Sequence, residues 1–176
     1  MSFTKKAAVA AVLVAAAVFA AGAAADHGGG GGDGDHHGRG EHHGHRQRVI
    51  LQQHLVGSVL TDPPIHGVVR GGVPWQGGGD ASLSKKGRFE ARIRGLVIPS
   101  MGNPGPVTTI TISLYCAPDS SSTAAFTTDS VPLSAQGNAH VEQRVTVPAR
   151  CLAPVLLVHP NGGAAAYIAA TGFTSS

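Results

Sequence analysis

Apolar and polar residues alternate in several short stretches of the second half of the chain, and this alternation predicts strands. Between Arg88 and Arg94 the apolar Phe89, Ala91 and Ile93 take turns with Arg88, Glu90, Arg92 and Arg94. Successive strand side chains point to opposite faces, so a period of two sets one face against a core and the other in water. Residues 81–84 precede this stretch across Lys85, Lys86 and Gly87, with glycine where a three-residue turn needs a left-handed conformation, so a hairpin is predicted. Past Gly95 the apolar positions change phase, to Leu96 and Ile98, which marks that glycine as a β-bulge. Residues 108–116 set Ile110, Ile112, Leu114 and Cys116 on one face and Thr109, Thr111, Ser113 and Tyr115 on the other. Residues 139–147 turn Ala139, Val141, Val145 and Val147 inward and His140, Glu142, Arg144 and Thr146 outward, with the polar Gln143 interrupting the inward series.

Elsewhere the pattern is less decisive. Residues 125–133, 154–159 and 166–173 are weaker strand candidates, the last rich enough in alanine to read as a helix by propensity. The apolar stretch 49–60 fits helix and strand equally by period. Residues 61–80 hold Pro63, Pro64, Gly71, Gly72, Pro74 and Gly77 to Gly79, which predicts a long structured loop or a broken edge strand. About seven short strands separated by turn signals describe an all-β domain, a β-sandwich of antiparallel strands with immunoglobulin-like or related topology. A closed barrel is the main rival.

Three segments divide the chain. Lys5 and Lys6, the apolar run 7–21, and the small Ala23 and Ala25 are the parts of a secretory signal peptide in order, so residues 1–25 are expected to be removed before Asp26. The run is too short and too alanine-rich for a span of about 20 residues, so no transmembrane segment is expected after cleavage. Residues 26–46 form a low-complexity histidine- and glycine-rich stretch without an apolar residue, which cannot offset its own ordering entropy and reads as a disordered tether. Residues 47–176 remain for a single β domain, long enough to bury an independent core that requires no cofactor to fold.

Composition and charge narrow the function. Only 13% of residues are charged while glycine fills 25 positions and proline 11, a balance that favours turns and strands. The net charge of +3 is the sum of +2 in residues 1–25, −2 in residues 26–46 and +3 thereafter. The exported product is thus close to neutral, which argues against nucleic acid as a partner, since that role needs a concentrated basic footprint.

Cys116 and Cys151 are the only cysteines, and in an exported protein such a pair is most simply a structural disulfide. His36, His37, His42, His43 and His45, interspersed with Asp33, Asp35 and Glu41, supply donors for a divalent transition metal such as zinc, nickel or copper. A floppy segment has no second shell to fix its rings, so incidental metal affinity on a solvated spacer is the plainer reading. Arg88, Arg92 and Arg94, with Lys85 and Lys86 at the turn, form a basic stripe that could meet an acidic envelope polymer or an anionic membrane. A charged outer face that keeps the strand soluble is the simpler account, and Glu90 in its middle favours it. Trp75 in its glycine-rich surroundings is either a stacking platform for a sugar or a plug in the end of the core, and we favour the plug. His66 and His159 stand alone and are expected to be satisfied by local hydrogen bonds. No nucleophile elbow, metalloprotease helix, phosphate loop or paired-cysteine redox motif occurs, so a hydrolase would have to assemble its site in space.

The stretch Thr61-Asp62-Pro63-Pro64-Ile65-His66-Gly67, the Gly-Val-Pro-Trp ending at Trp75, and residues 152–162 with Tyr167-Ile168-Ala169-Ala170 resemble a group of exported bacterial β-sandwich proteins of unassigned function. That resemblance implies a shared β fold across residues 55–173. Residues 159–170 are more faintly similar to the chordin-type CHRD domain, another secreted β module, from which no site is transferred. The expected function is a non-enzymatic secreted or cell-envelope module with a polymer or protein partner. A metal-binding protein acting through its histidine-rich segment is the alternative, and a hydrolase the remote one.

Overall fold

The computed structural model describes residues 48–117 and 123–174, which contain eleven strands and no helix. The ambiguous 49–60 stretch is a strand, β1 (Val49–Gly57). Residues 61–80 divide: β2 (Val69–Arg70) is a short outlying strand, while Gln76 already opens β3 (Gln76–Ser84). The glycines Gly77 to Gly79 therefore lie inside a strand paired on both sides, to β1 and to β4 (Arg88–Val97), and not in the loop or broken edge that their composition suggests. The β3–β4 hairpin turns at Lys85 to Gly87 as expected, with Gly87 left-handed at φ +83°. The expected bulge is also present: the β3–β4 register shifts opposite Gly95, which takes φ +60°.

Downstream follow β5 (Thr109–Tyr115), β6 (Phe126–Thr127), β7 (Val131–Pro132), β8 (Ala139–Arg144), β9 (Val155–Pro160), β10 (Ala166–Tyr167) and β11 (Ala169–Thr171). The alanine-rich 166–173 stretch is thus extended, because pairing of β11 with β1 and β9 overrides its helical propensity. One antiparallel hydrogen-bonded path runs β6-β5-β9-β11-β1-β3-β4-β8. β7 shares the edge of β5 with β6, and between them Thr128 exchanges bonds with Ile112 through its backbone N–H (2.9 Å) and its hydroxyl (2.9 Å). β2 and β10 make a separate parallel pair.

The chain itself forces this sheet to curl. β7 lies at one end of the path and β8 at the other, yet only residues 133–138 separate them. Their turn is closed by Ser134 N–H donating to the Asn138 carbonyl (2.9 Å) and Gly137 N–H to that of Ser134 (2.8 Å). Side chains join the two ends: the Asp129 N–H donates to Gln143 Oε1 (2.8 Å), and the Phe89 ring meets Phe126 edge-on at 5.3 Å. Gln143, the polar residue that interrupts an inward series, thus supplies an acceptor across the junction. The result is a curled half-barrel with its main core inside, including Phe89, Ile93, Ile110, Leu114 and Leu156.

A second apolar layer covers the convex side of β5 and β9. Tyr115, Leu157 and Tyr167 pack there with Val68 of the loop that holds β2. β5 is consequently buried on both faces, so Thr111, Ser113 and Tyr115, expected on a polar outer face, are covered as well. The Ser113 hydroxyl finds a partner there, 2.8 Å from that of Thr127. Cys116 and Cys151 form a disulfide with a Cα separation of 4.9 Å. It sits just beyond the Tyr115–Val155 end of the β5–β9 ladder, where Ala117 N–H also donates to the Leu152 carbonyl (2.6 Å).

Candidate functional site

The outer face of β1, β3, β4 and β8 is the most heavily charged surface of the described residues. Cross-strand register places His54, Asp80, Arg92 and His140 in one row and Gln52, Ser82, Glu90 and Glu142 in the next. Residues directly opposite are often alike in sign, as Glu90 is to Glu142 and Arg88 to Arg144. Most charge contacts run between rows instead: Arg88 reaches Glu142 (2.7 Å), Arg92 bonds Glu90 (2.9 Å), His140 approaches Glu90 (3.5 Å) and Arg94 lies 3.8 Å from Asp80, while within a row His54 Nδ1 lies 2.6 Å from Asp80. The hydrogen bond from Arg92 lowers the Glu90 pKa most; partial desolvation opposes it, and the charges of Arg92, His140 and Arg88 lower it further.

The basic stripe of Arg88, Arg92 and Arg94 is therefore exposed as the alternation requires, but each arginine has a carboxylate beside it. Two of those partners escaped the sequence reading for a physical reason. Asp80 was hidden in a stretch read as loop, and Glu142 comes alongside only through the β4–β8 pairing of distant segments.

Two open depressions on this face share Arg94. One, of about 680 Å³, is lined by Arg92, Ile93, Arg94, Asn138, Ala139 and His140. The other, of about 420 Å³, has Gly77 to Gly79 as its floor, with His54, Asp80, Arg94 and the strongly exposed Phe173 among its walls. The strands hold the polar groups around these hollows. Such a face offers donors, acceptors and one aromatic ring to an extended partner.

The other candidate residues fall elsewhere. Trp75 is 5% exposed and belongs to the main core, with its backbone N–H donating to the Ser58 carbonyl (2.7 Å), so it is a plug rather than an open stacking face. His66 stacks on Tyr115 with ring centroids 5.1 Å apart, but its Nδ1 is buried without a hydrogen-bond partner. The expected local satisfaction of His66 thus fails at that atom. His36, His37, His42, His43 and His45 lie outside the described residues. Among the described residues no cluster of three or more histidine, cysteine or acidic side chains could hold a metal ion.

His159 on β9 is fully buried, and its Nδ1 lies 2.8 Å from the Ala166 carbonyl oxygen. A carbonyl only accepts, so Nδ1 carries the proton and Nε2 is left as a buried lone pair without a partner. Burial lowers the His159 pKa, against a smaller opposite effect of the bond to Ala166. The sign follows from linkage: below the unfolded-state value of about 6.5 the unfolded chain gains a proton that the folded protein refuses, so stability falls as pH drops. Urea midpoints measured from about pH 7 to 5 should therefore decline in the wild type and decline less in His159→Gln. Identical slopes would show that this imidazole contributes nothing.

No protein-family model, curated protein or solved structure matches this chain.

Proposed function

We propose that this protein is an exported, non-enzymatic module of the cell envelope or its surroundings, binding an envelope polymer or protein through the outer face of β1, β3, β4 and β8. The observation that carries this reading is the pair of depressions sharing Arg94, set on a strand-built face where arginines and carboxylates are already paired. A partner bearing hydroxyls and acidic groups can exchange into such pairs with little cost in exposed charge. Charge patterning of this kind confers orientation and selectivity more than raw affinity. The disulfide is compatible with an oxidising compartment and supports export. The same reading treats the two halves of the curl, β6-β5-β9-β11 and β1-β3-β4-β8, as the layers of a sandwich joined along one side.

The test is capture from native envelope extract by the chain beginning at Asp26, compared with Arg92→Ala/Arg94→Ala. Wild-type protein should retain a defined polymer or protein that raised salt releases, and the double variant should retain at least about tenfold less, since truncating charges in a contact commonly costs upwards of 1.4 kcal/mol. Equal capture by the two proteins would remove this face from the account. Covalent labelling by serine- or histidine-directed active-site probes would overturn the non-enzymatic part.

A further inference from the structure

The end of the domain where the described chain begins carries a second charged surface, built on a different plan. The Lys85 N–H donates to the Arg48 carbonyl (2.8 Å), which lays the start of β1 on the β3–β4 turn. Arg144 reaches the Lys86 carbonyl (3.3 Å), and the Val145 N–H that of Gly87 (2.8 Å), which brings in the segment leading to Arg150 and Cys151. Arg48, Lys85, Lys86, Arg144 and Arg150 are all exposed at this end. Among the described residues none of the five has a carboxylate within ion-pair distance, in contrast to Arg88, Arg92 and Arg94.

One of them, Arg150, lines a slot whose other walls are mostly aliphatic. Its volume is about 240 Å³, and Ile50, Leu51, Leu83, Leu114, Val147 and Pro154 are among its lining residues. β11 ends at Thr171 and pairs only Leu55 to Gly57 of β1, so the first half of β1 lacks a strand on that side and leaves the slot open. Val49, Ile50 and Leu152 stand about half exposed nearby, at 52%, 47% and 52%. An unpaired cationic cluster around exposed aliphatic side chains calls for an occupant that is anionic and apolar at once.

We propose that this end docks the domain on an anionic lipid bilayer, with the five cations against headgroup phosphates and Val49, Ile50 and Leu152 at the acyl boundary. One observation favours a bilayer over a soluble polyanion. A polyanion would answer the charges and leave the aliphatic groups in water, whereas a bilayer answers both. The proposal stands apart from any partner of the two depressions on the β1-β3-β4-β8 face, which are lined by other residues, although Arg144 and Val49 lie at the edge of that face beside Arg88.

Vesicle co-sedimentation at neutral pH tests it with the chain beginning at Asp26. Binding to phosphatidylcholine–phosphatidylglycerol vesicles is expected, with little to phosphatidylcholine alone. Lys85→Ala/Lys86→Ala should weaken it about thirtyfold, as loss of two surface cations near an anionic bilayer implies. Ile50→Ser/Leu152→Ser should weaken vesicle binding at least about tenfold while leaving binding to soluble polyglutamate unchanged. Both pairs are exposed, and unaltered circular dichroism with an unaltered urea midpoint certifies that each variant is folded. Failure of the wild type to bind anionic vesicles overturns the proposal. So does vesicle binding indifferent to Ile50→Ser/Leu152→Ser, which would identify a polyanion site, or binding lost only in Arg92→Ala/Arg94→Ala, which would assign it to the other face.

Discussion

Replacing Cys116 and Cys151 together by alanine should lower the unfolding free energy by up to about 4 kcal/mol and the melting temperature by on the order of 10–15 °C. The bridge spans 35 positions, and freeing that loop returns the corresponding entropy to the unfolded chain. The folded state should change little, because Tyr115 and Val155 are already paired next to the bridge and the Ala117–Leu152 hydrogen bond flanks it. What the bridge holds is the return crossing from β8, at one end of the sheet path, to β9 near the other. Urea unfolding of the double variant, with dithiothreitol-treated wild type beside it, reads the loss directly. A midpoint unmoved in both samples would mean that the bridge is not formed or that the unfolded chain is compact without it.

A larger effect is expected at Gly78. A Cβ added there would lie 1.9 Å from the Leu55 carbonyl oxygen and 2.9 Å from its carbon, and both atoms are backbone of the paired strand β1. The next residue meets the opposite neighbour: a Cβ on Gly79 would fall 2.1 Å from the Arg92 carbonyl oxygen of β4. Side chains of an ordinary strand point out of the sheet, so contacts in its plane mean that β3 is turned sharply where it crosses between β1 and β4. Gly78→Ala cannot be relieved by a rotamer change, and only separation of two strands makes room. We expect a loss of more than about 4 kcal/mol, seen as failure to accumulate folded protein or collapse of the urea transition. Gly72→Ala is the control, with nothing within 4 Å of its Cβ position, and should leave stability unchanged or raise it by up to about 1 kcal/mol. Equal behaviour of the two variants would refute the packing argument.

Several elements were legible from residues alone because their information is local. The alternation at Phe89, Ala91 and Ile93, the left-handed glycine of the Lys85–Lys86–Gly87 turn and the phase change at Gly95 each record a backbone geometry in neighbouring side chains. The first half of β3 was not legible, since Gly77 to Gly79 have no side chains with which to display a period, whereas its residues 81–84 were read as an arm of the hairpin. The 49–60 stretch was undecided because a short apolar run serves either a helix or a strand, and only the partners β3 and β11 choose. The charged face was half visible: its arginines are consecutive outward residues of β4, whereas Asp80 and Glu142 reach them through register.

By itself, the order of amino acids determined that this domain is extended-chain, that its two thiols must be each other's partners if they pair within the chain, and that Arg88, Arg92 and Arg94 share an outward face. Those properties depend on spacing of one or two residues, or on there being a single possible pairing. The curl of the sheet, the burial of β5 on both sides, the neutralised stripe on one face and the unpaired cations gathered about the β3–β4 turn came only with tertiary structure. Each arises where segments dozens of residues apart meet, and no local pattern encodes which carbonyl, ring or carboxylate will be waiting there.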